Sequence, residues 1–182
     1  MRAVTAGLFT SVDGVVADPH LFQGDSFDDD LGRGMDAMIA RTDTVVLGRT
    51  SYQEWSQYWP GNTGDGFGSF INPVRKFVAS RTLTGPLDWQ NSSLIQGDLL
   101  DFVRELKQGE GGEIAVTASI SVVRQLLFAG LLDRLMLMVH PVVAGAGRHL
   151  FEPTDPPTRL TLLKSEITAK GNAVLEYGLR TD

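Results

Sequence analysis

At 182 residues and 19.8 kDa, the chain is long enough for one domain with a sizeable core and too short for two of ordinary size. Its 42% hydrophobic and 21% charged residues argue against disorder, and a net charge of −6 without a basic run argues against binding to nucleic acid or to an anionic membrane surface. The sequence has no cysteine, which excludes disulfide scaffolds, thiolate catalysis and thiolate metal sites, and it has no apolar stretch of membrane-spanning length. We therefore expect a single cytoplasmic domain over residues 1–182.

Strands and helices are predicted to alternate along the chain. Residues 3–10 form a mostly apolar run that is followed by the turn signal Asp13-Gly14. Apolar residues at helical spacing follow over 28–41, with the acidic triplet Asp28-Asp29-Asp30 in the first turn. The predicted strands are 3–10, 44–47, 73–79, 94–95, 113–117, 134–140, 161–169 and 173–179, and the predicted helices are 28–41, 49–59, 67–72, 99–108 and 120–129.

This alternation predicts an α/β fold of three layers, in which a mostly parallel central sheet carries helices on both faces. The last two strands are joined by Lys170-Gly171-Asn172 and predict an antiparallel C-terminal hairpin. Because the carboxyl ends of parallel strands meet at one edge of a sheet, a ligand crevice is expected at that edge.

Four segments that follow predicted strands carry small, hydroxyl or cationic residues: 11–14, 48–51, 80–82 and 117–119. Backbone N–H groups beside small residues, together with hydroxyls and the guanidiniums of Arg49 and Arg81, favour a phosphorylated cofactor. An alternative stays open, in which both arginines are solvated and the hydroxyl residues only cap helices. The hydroxyl residues concerned are Thr50 or Ser51 as N-cap of the helix over 49–59, and Ser119 at the start of the helix over 120–129.

Several familiar site motifs are absent from the sequence. Gly145-Ala146-Gly147 lacks the third glycine of a dinucleotide fingerprint, and neither a phosphate loop ending in Gly-Lys-Ser/Thr nor a Gly-x-Ser-x-Gly serine elbow occurs. The three histidines lack metal-ligand spacing, so no metal site is expected and each is predicted to be a satisfied or surface histidine. They are His20, His140 and His149.

The order of the remaining motifs is specific, although no single one would suffice. They are Ser11-x-Asp13-Gly14, Gly48-Arg49-Thr50-Ser51-Tyr52-x-x-Trp55, Ala79-Ser80-Arg81, Ala118-Ser119, Leu131-x-Asp133 and Pro141-Val142-Val143-x-Gly145-x-Gly147-x-x-Leu150-Phe151. In this order, over residues 3–179, they resemble the dihydrofolate reductase superfamily. Within it they are most similar to the C-terminal reductase domain of the riboflavin-biosynthesis deaminase-reductase.

The resemblance implies a dihydrofolate reductase-like fold and an NADPH-dependent reductase. It implies hydride transfer to a C=N or C=O bond of a small pteridine- or pyrimidine-like substrate, as in dihydrofolate reductase or 5-amino-6-(5-phosphoribosylamino)uracil reductase. The implied contacts are Gly48, Arg49, Thr50 and Ser51 with the cofactor phosphates, Ser80 and Arg81 with the adenosine 2′-phosphate, Ala118, Ser119 and Ile120 with the pyrophosphate, and Val15, Val16 and Ala17 with the nicotinamide.

Two aspartates are candidate catalytic residues by the same resemblance. Asp30 is closest in kind to the acid that protonates folate, and Asp13 belongs to the motif after the first strand. The alternative for a first-turn aspartate is compensation of the helix dipole. Ala118 stands where the superfamily usually has glycine, which leaves a second function open: a non-catalytic binding protein that retains the fold with a degraded cofactor site.

The negative charge is concentrated at the N-terminus. Residues 1–40 hold seven Asp and two Arg, a local charge of −5, which leaves 15 acidic and 14 basic residues for the rest of the chain. Because these residues would flank the substrate side of the crevice, an anionic substrate is disfavoured. The candidates to bind a substrate phosphate are Arg2, Arg33, Arg41 and Arg148. The apolar run 131–143 and the edge hairpin also predict a homodimer.

Overall fold

The computed structural model describes residues 1–64 and 66–179 of the chain. It confirms the alternation of strands and helices, with two short 3₁₀ turns at Pro19–Leu21 and Trp59–Gly61. The strands are β1 (Val4–Thr10), β2 (Thr42–Gly48), β3 (Arg75–Ala79), β4 (Ser92–Leu94), β5 (Glu113–Thr117), β6 (Arg134–Val139), β7 (Leu160–Ile167) and β8 (Ala173–Leu179). The helices are α1 (Asp29–Ile39), α2 (Arg49–Tyr58), α3 (Gly66–Ile71), α4 (Leu99–Gln108) and α5 (Ile120–Phe128).

All eight strands join one sheet in the order β4-β3-β2-β5-β1-β6-β8-β7. The first six in this order run parallel to one another, whereas β8 is antiparallel to both β6 and β7. The predicted parallel sheet with a C-terminal antiparallel hairpin is therefore confirmed. Its parallel strands place their carboxyl ends, and the loops that follow them, along one edge.

Helices cover both faces of the parallel part of the sheet. Successive side chains of a strand point to opposite faces, so Val46 packs with α4 and α5 residues such as Val103 and Leu126, while Val45 and Leu47 pack on the other face. On that second face they meet Tyr52 of α2, Ile71 of α3 and Trp89. Within the described residues, no helix is long and apolar enough to cross a membrane.

The C-terminal hairpin is much less covered than the rest of the sheet. All of β7 except Leu160 is exposed, including Leu162, Leu163 and Ile167. The turn of the hairpin is nevertheless fixed to the start of α1, because Asp28 Oδ2 accepts from the Lys170 N–H at 2.9 Å and Asp30 Oδ2 accepts from the Ala169 N–H at 2.8 Å.

The helix starts differ in part from the prediction. Asp28 is the N-cap of α1, where its side chain accepts from the Leu31 N–H, so only Asp29 and Asp30 of the acidic triplet lie in the first turn. The prediction of Thr50 or Ser51 as the N-cap of α2 is wrong, because α2 begins directly after β2 and its N-cap is Gly48. A helix that starts this early points its first N–H groups at the edge where the strands end.

Candidate active site

A cavity of about 1430 Å³ lies at the carboxyl ends of the parallel strands. It extends from the loop after β3, across β2 and β5, to β1 and β6 near the middle of the sheet. Eleven of the twelve residues that the resemblance assigns to NADPH line it: Val16, Ala17, Gly48, Arg49, Thr50, Ser51, Ser80, Arg81, Ala118, Ser119 and Ile120. The exception is Val15, which is 1% exposed and forms an antiparallel bridge with His149.

One end of the cavity, which we call the cationic end, is formed by Gly48–Ser51, Ser80–Arg81 and Ala118–Ile120. Arg49 and Arg81 are exposed, and neither forms an ion pair within residues 1–64 and 66–179. Ser80 shapes the turn that carries Arg81, because its Oγ accepts from the N–H groups of Thr82 at 3.1 Å and Leu83 at 2.9 Å. Two guanidiniums without ion-pair partners are therefore available to an anionic ligand.

A chain of buried hydroxyls holds the β2 and β5 corners of this end together. The Gly48 N–H donates to Ser119 Oγ at 2.8 Å, Ser119 Oγ donates to Ser51 Oγ at 3.0 Å, and Ser51 Oγ donates to the Ala118 carbonyl at 3.2 Å. Neither Ser51 nor Ser119 uses its side chain to cap a helix. The capping alternative is thus wrong for Ser51, whereas Ser119 does stand at the N-cap position of α5 but uses its hydroxyl to link two loops.

Two backbone features bring the loops of the cationic end close to each other. A Cβ at Gly48 would lie 3.4 Å from Val122 Cγ2 and 3.7 Å from Ser119 Cβ, so the absence of a side chain lets the start of α5 approach β2. Ala118 has φ 51°, the left-handed region that L side chains rarely adopt. Ala118 is exposed and lines the cavity.

The other end of the cavity is apolar and is formed by Phe9, Phe27, Met35, Met38 and Met138, which we call the apolar box. Phe9 and Met138 are register partners on β1 and β6, and the Phe9 and Phe27 rings meet edge to face at 6.1 Å. A Cβ at Gly7 would lie 3.3 Å from Met38 Sδ and 3.7 Å from Met138 Cε, so both thioethers converge over this glycine. Thioethers and aromatic rings suit a flat, apolar ligand.

A buried histidine lies behind the apolar box. His140 is completely buried, and its ring contacts the rings of Phe9 at 5.5 Å and Phe22 at 6.1 Å between centroids. Its Nε2 lies 3.3 Å from Gln23 Nε2 and its Nδ1 lies 2.6 Å from Ser26 Oγ. Burial lowers the pKa of His140, although Asn172 and Asp28 oppose this effect.

The two candidate catalytic aspartates do not line the cavity. Asp13 accepts from the N–H groups of Ala144 at 2.9 Å and Gly145 at 2.8 Å, and so holds the loop after β6. The Ser11 hydroxyl and these two N–H groups lower the pKa of Asp13 to about 2. Asp30 is paired with Arg33 and holds the hairpin turn, so both carboxylates have structural partners instead of facing a ligand.

Of the four arginines considered for a substrate phosphate, Arg148 lines the cavity and has no ion-pair partner in the described part of the chain. The other three form ion pairs elsewhere: Arg2 with Asp43, Arg33 with Asp30 and Arg41 with Glu113.

Sequence reasoning missed the apolar box and the groups behind it. The spacing of Met35 and Met38 indicated only a buried helix face, and His140 was correctly predicted to be satisfied without any indication of its partner Gln23. Gln23 and His140 are 117 positions apart, so no local pattern links them. Among the described residues, no group of three or more His, Cys, Asp and Glu side chains could hold a metal ion.

The chain is similar in sequence and in structure to several known proteins. YyaP of Bacillus subtilis (strain 168) is 28% identical over 152 residues, which cover 81% of this chain and 80% of YyaP. A protein from Shewanella sp. PV-4 assigned to riboflavin biosynthesis has a structure that matches with a TM-score of 0.75 at 22% identity, covering 99% of this chain and all of that one. This match confirms the fold that the motifs implied.

A third similar protein is the diaminohydroxyphosphoribosylaminopyrimidine deaminase/5-amino-6-(5-phosphoribosylamino)uracil reductase of Thermotoga maritima. Its TM-score is 0.69 at 15% identity, and the match covers 98% of this chain but 57% of that two-activity protein. The model of the RibD C-terminal domain family matches residues 2–174. On this match, together with the fold, the chain belongs to the RibD C-terminal domain family.

Proposed function

We propose that the protein is an NADPH-dependent reductase that transfers a hydride to a C=N or C=O bond of a small pyrimidine- or pteridine-like heterocycle. Membership of a reductase-domain family supports the oxidoreductase class. One observation carries the cofactor assignment: three separate loops converge on one cavity. Two of these loops carry Arg49 and Arg81, neither of which forms an ion pair within the described residues.

The residues at the cationic end fit a phosphorylated dinucleotide. The N-terminus of α2, ten residues long, and that of α5, nine residues long, both open into the cavity beside Gly48 and Ala118. Thr117 also lines this end, and its buried Oγ1 has no hydrogen-bond partner among the described residues. A ligand oxygen would satisfy that orphaned hydroxyl, which is expensive to leave unpaired.

Within this proposal, Arg81 would bind the adenosine 2′-phosphate, and Arg49 with Thr50 would bind the other phosphates. The nicotinamide, when bound, supplies the hydride. The protein contributes position and exclusion of water: Phe9, Met38 and Met138 make the far end of the cavity apolar. A substrate held there would lie next to Val16 and Ala17, which the resemblance assigns to the nicotinamide.

The test is a fluorescence titration with NADPH and NADH. We expect binding of NADPH in preference to NADH. We expect Arg81→Ala to weaken NADPH binding by about tenfold or more, because a hydrogen bond to a charged group is worth about 1.5–3 kcal/mol, and to leave NADH binding unchanged. Arg159→Ala, which removes an exposed arginine outside the cavity, is the control. An absence of NADPH binding up to millimolar concentration would refute the proposal.

The homodimer predicted from the sequence is a further part of the proposal. The edge strand β7 exposes Leu162, Leu163 and Ile167 and has backbone groups along its outer edge. In a dimer with two-fold symmetry, a second copy of β7 would form hydrogen bonds with these groups. Sedimentation at micromolar concentration is expected to show a dimer, and Leu163→Lys is expected to dissociate it. A monomeric wild-type protein would contradict this assembly.

A further inference from the structure

We infer that Gln23 recognises a ring N–H of an uncharged, planar substrate through its side-chain carbonyl, and that His140 holds the Gln23 amide in the orientation this requires. The inference rests on the proposed function, because it assigns the substrate class of the same cavity. Gln23 is a specificity-determining residue in this assignment, and His140 is a positioning residue.

The hydrogen bonds around Ser26 fix the position of one proton on the imidazole. Ser26 Oγ lies 2.6 Å from the Gln23 backbone carbonyl, which can only accept, so the single hydroxyl proton points there. Ser26 Oγ is also 2.6 Å from His140 Nδ1 and must accept at that contact. His140 therefore carries its proton on Nδ1.

The other ring nitrogen then determines which way the Gln23 amide faces. The burial that lowers the pKa of His140 keeps the ring neutral, so Nε2 has a lone pair and no proton. The group 3.3 Å away must donate, which selects the Gln23 Nε2 amide nitrogen. The Gln23 Oε1 carbonyl is left facing away from the ring, with no hydrogen-bond partner within the described residues, and Gln23 lines the cavity.

The surroundings of Gln23 define the chemistry of its ligand. The apolar box places two aromatic rings and three thioethers at this end of the cavity, and these five side chains carry no charge. Asp18, His20 and Arg148 also line the cavity, on the segments that carry or adjoin Val16 and Ala17 and outside the box itself. A charged group in such surroundings would be strongly desolvated, whereas a flat neutral ring would be favoured. One fixed acceptor in an apolar pocket selects the ring edge that offers an N–H, because an acceptor edge would leave Oε1 unpaired.

The groups that face His140 agree with this orientation. Burial has the largest effect on the pKa of His140 and lowers it, while a hydrogen bond with the Asn172 side chain and the negative charge of Asp28 raise it. Asp28 itself accepts from the N–H groups of Leu31 and Lys170, so its charge is already partnered. The Asn172 Nδ2 group donates to the Ser26 carbonyl at 2.7 Å and anchors the same loop that carries Gln23.

The first test observes the tautomer directly. Long-range ¹H–¹⁵N correlation spectra of the ¹⁵N-labelled protein near neutral pH should show His140 neutral and protonated at Nδ1. A ring protonated at Nε2, or at both nitrogens, would overturn the inference, because Gln23 would then turn its carbonyl towards the histidine. This measurement needs no cofactor and no substrate.

The second test uses a matched pair of probes, lumazine and 1,3-dimethyllumazine, which differ by methyl groups on two ring nitrogens. Binding is measured by fluorescence with and without NADP⁺. We expect the wild-type protein to prefer lumazine, and we expect Gln23→Leu to reduce that preference by about fivefold, the usual net size of one neutral hydrogen bond. Gln53→Leu, the same change at an exposed position outside the cavity, should keep the wild-type ratio.

The positioning role of His140 is tested by His140→Phe, which retains a ring against Phe9 and Phe22 but has no acceptor for the Gln23 amide. The lumazine preference should fall as it does for Gln23→Leu, whereas affinity for 1,3-dimethyllumazine should change little. Folding of each variant is checked by circular dichroism, and an unfolded His140→Phe leaves Gln23→Leu to decide. An unchanged preference in Gln23→Leu would refute the inference.

The two proposals fail in distinguishable ways. If the NADPH proposal is wrong, neither NADP⁺ nor NADPH will bind, while the lumazine preference and the His140 tautomer will be as expected. If the role inferred for Gln23 is wrong, NADPH will bind normally, but the preference for lumazine over 1,3-dimethyllumazine will not depend on Gln23.

Discussion

The cationic end and the apolar box of the cavity differ in charge and in polarity. The cationic end offers Arg49 and Arg81, hydroxyls and the first N–H groups of two helices, whereas the apolar box offers rings and thioethers with one oriented amide. The ends are three strands apart, from β3 to β1, which is about 14 Å at the usual spacing of strands. Both ends of the cavity would be filled by one elongated ligand that has a charged and an uncharged end. A cofactor and a neutral substrate bound side by side would also fill both.

The same difference explains how an acidic protein can offer free cationic groups to the anionic cofactor that we propose. The excess negative charge lies in residues 1–40, but Asp13, Asp28 and Asp30 there accept backbone N–H groups and fix loops. These carboxylates therefore interact with N–H groups of the protein itself and not with a ligand in the cavity. The guanidiniums at the opposite end keep their donors available for a ligand.

The largest expected effect tests the cationic end. The double variant Arg49→Ala with Arg81→Ala should weaken NADPH binding by about a hundredfold or more, because two charge-assisted contacts are lost. The same variant should bind lumazine within about twofold of the wild type, since the apolar box is untouched. Fluorescence titrations at constant ionic strength measure both, and a parallel loss of both ligands would show that the ends are not independent.

The next effect tests the apolar box. Gly7→Val should weaken lumazine binding by about tenfold, because its side chain would fill the space where Met38 and Met138 converge. Binding of adenosine 2′,5′-bisphosphate, which reaches only the cationic end, should not change. Lumazine affinity equal to that of the wild type would mean that the probe does not enter the box.

A smaller effect concerns the dependence of stability on pH. Burial lowers the folded-state pKa of His140 below 6.5, so the unfolded chain takes up a proton at higher pH than the folded chain. The contribution of the buried, neutral His140 to the free energy of unfolding is complete above pH 6.5. It is lost as the pH falls from 6.5 through the pKa that His140 has in the folded protein. Urea midpoints should therefore drop between about pH 8 and about pH 5, and this drop should be smaller in His140→Phe.

The smallest expected effect separates the reductase from a fold-retaining protein with a degraded cofactor site. Under the proposed function, Ala118→Gly should change NADPH affinity by less than about twofold, because the turn at Ala118 already holds the conformation that glycine would adopt. A rise of about tenfold or more, which is about 1.4 kcal/mol, would show that the Ala118 methyl obstructs the cofactor and would favour the alternative. Thermal shifts with and without NADPH provide the measurement.

Much of the cationic end was predictable from the sequence because its residues directly follow strands. In a parallel sheet, the residue after each strand lies at the same edge, so Gly48, Ser80 and Ala118 were expected to share a site once the strands were recognised. The roles of the serines were not predictable. Ser51 and Ser119 have the sequence positions of helix caps, but the distance between β2 and β5 lets their hydroxyls bond to each other.

The apolar box and the groups behind it were much harder to predict from the sequence. Gln23 lies in an irregular loop whose path depends on the hydrogen bond to His140, the contact with Ser26 and the docked hairpin turn. Asp13 and Asp30 looked catalytic because of their motif and helix position, yet the loop after β6 and the hairpin turn take up their oxygens. Such partners come from more than 130 residues away along the chain.

The sequence by itself therefore determined the fold class, the order of strands and helices and the set of loops at the cavity edge, because periodicity and strand ends are local properties. Only the tertiary structure decided which polar groups remain available to a ligand. That outcome depends on which distant backbone N–H groups and hydroxyls reach each side chain first: Asp13 and Asp30 are engaged by them, whereas Arg49 and Arg81 keep their donors for the cavity.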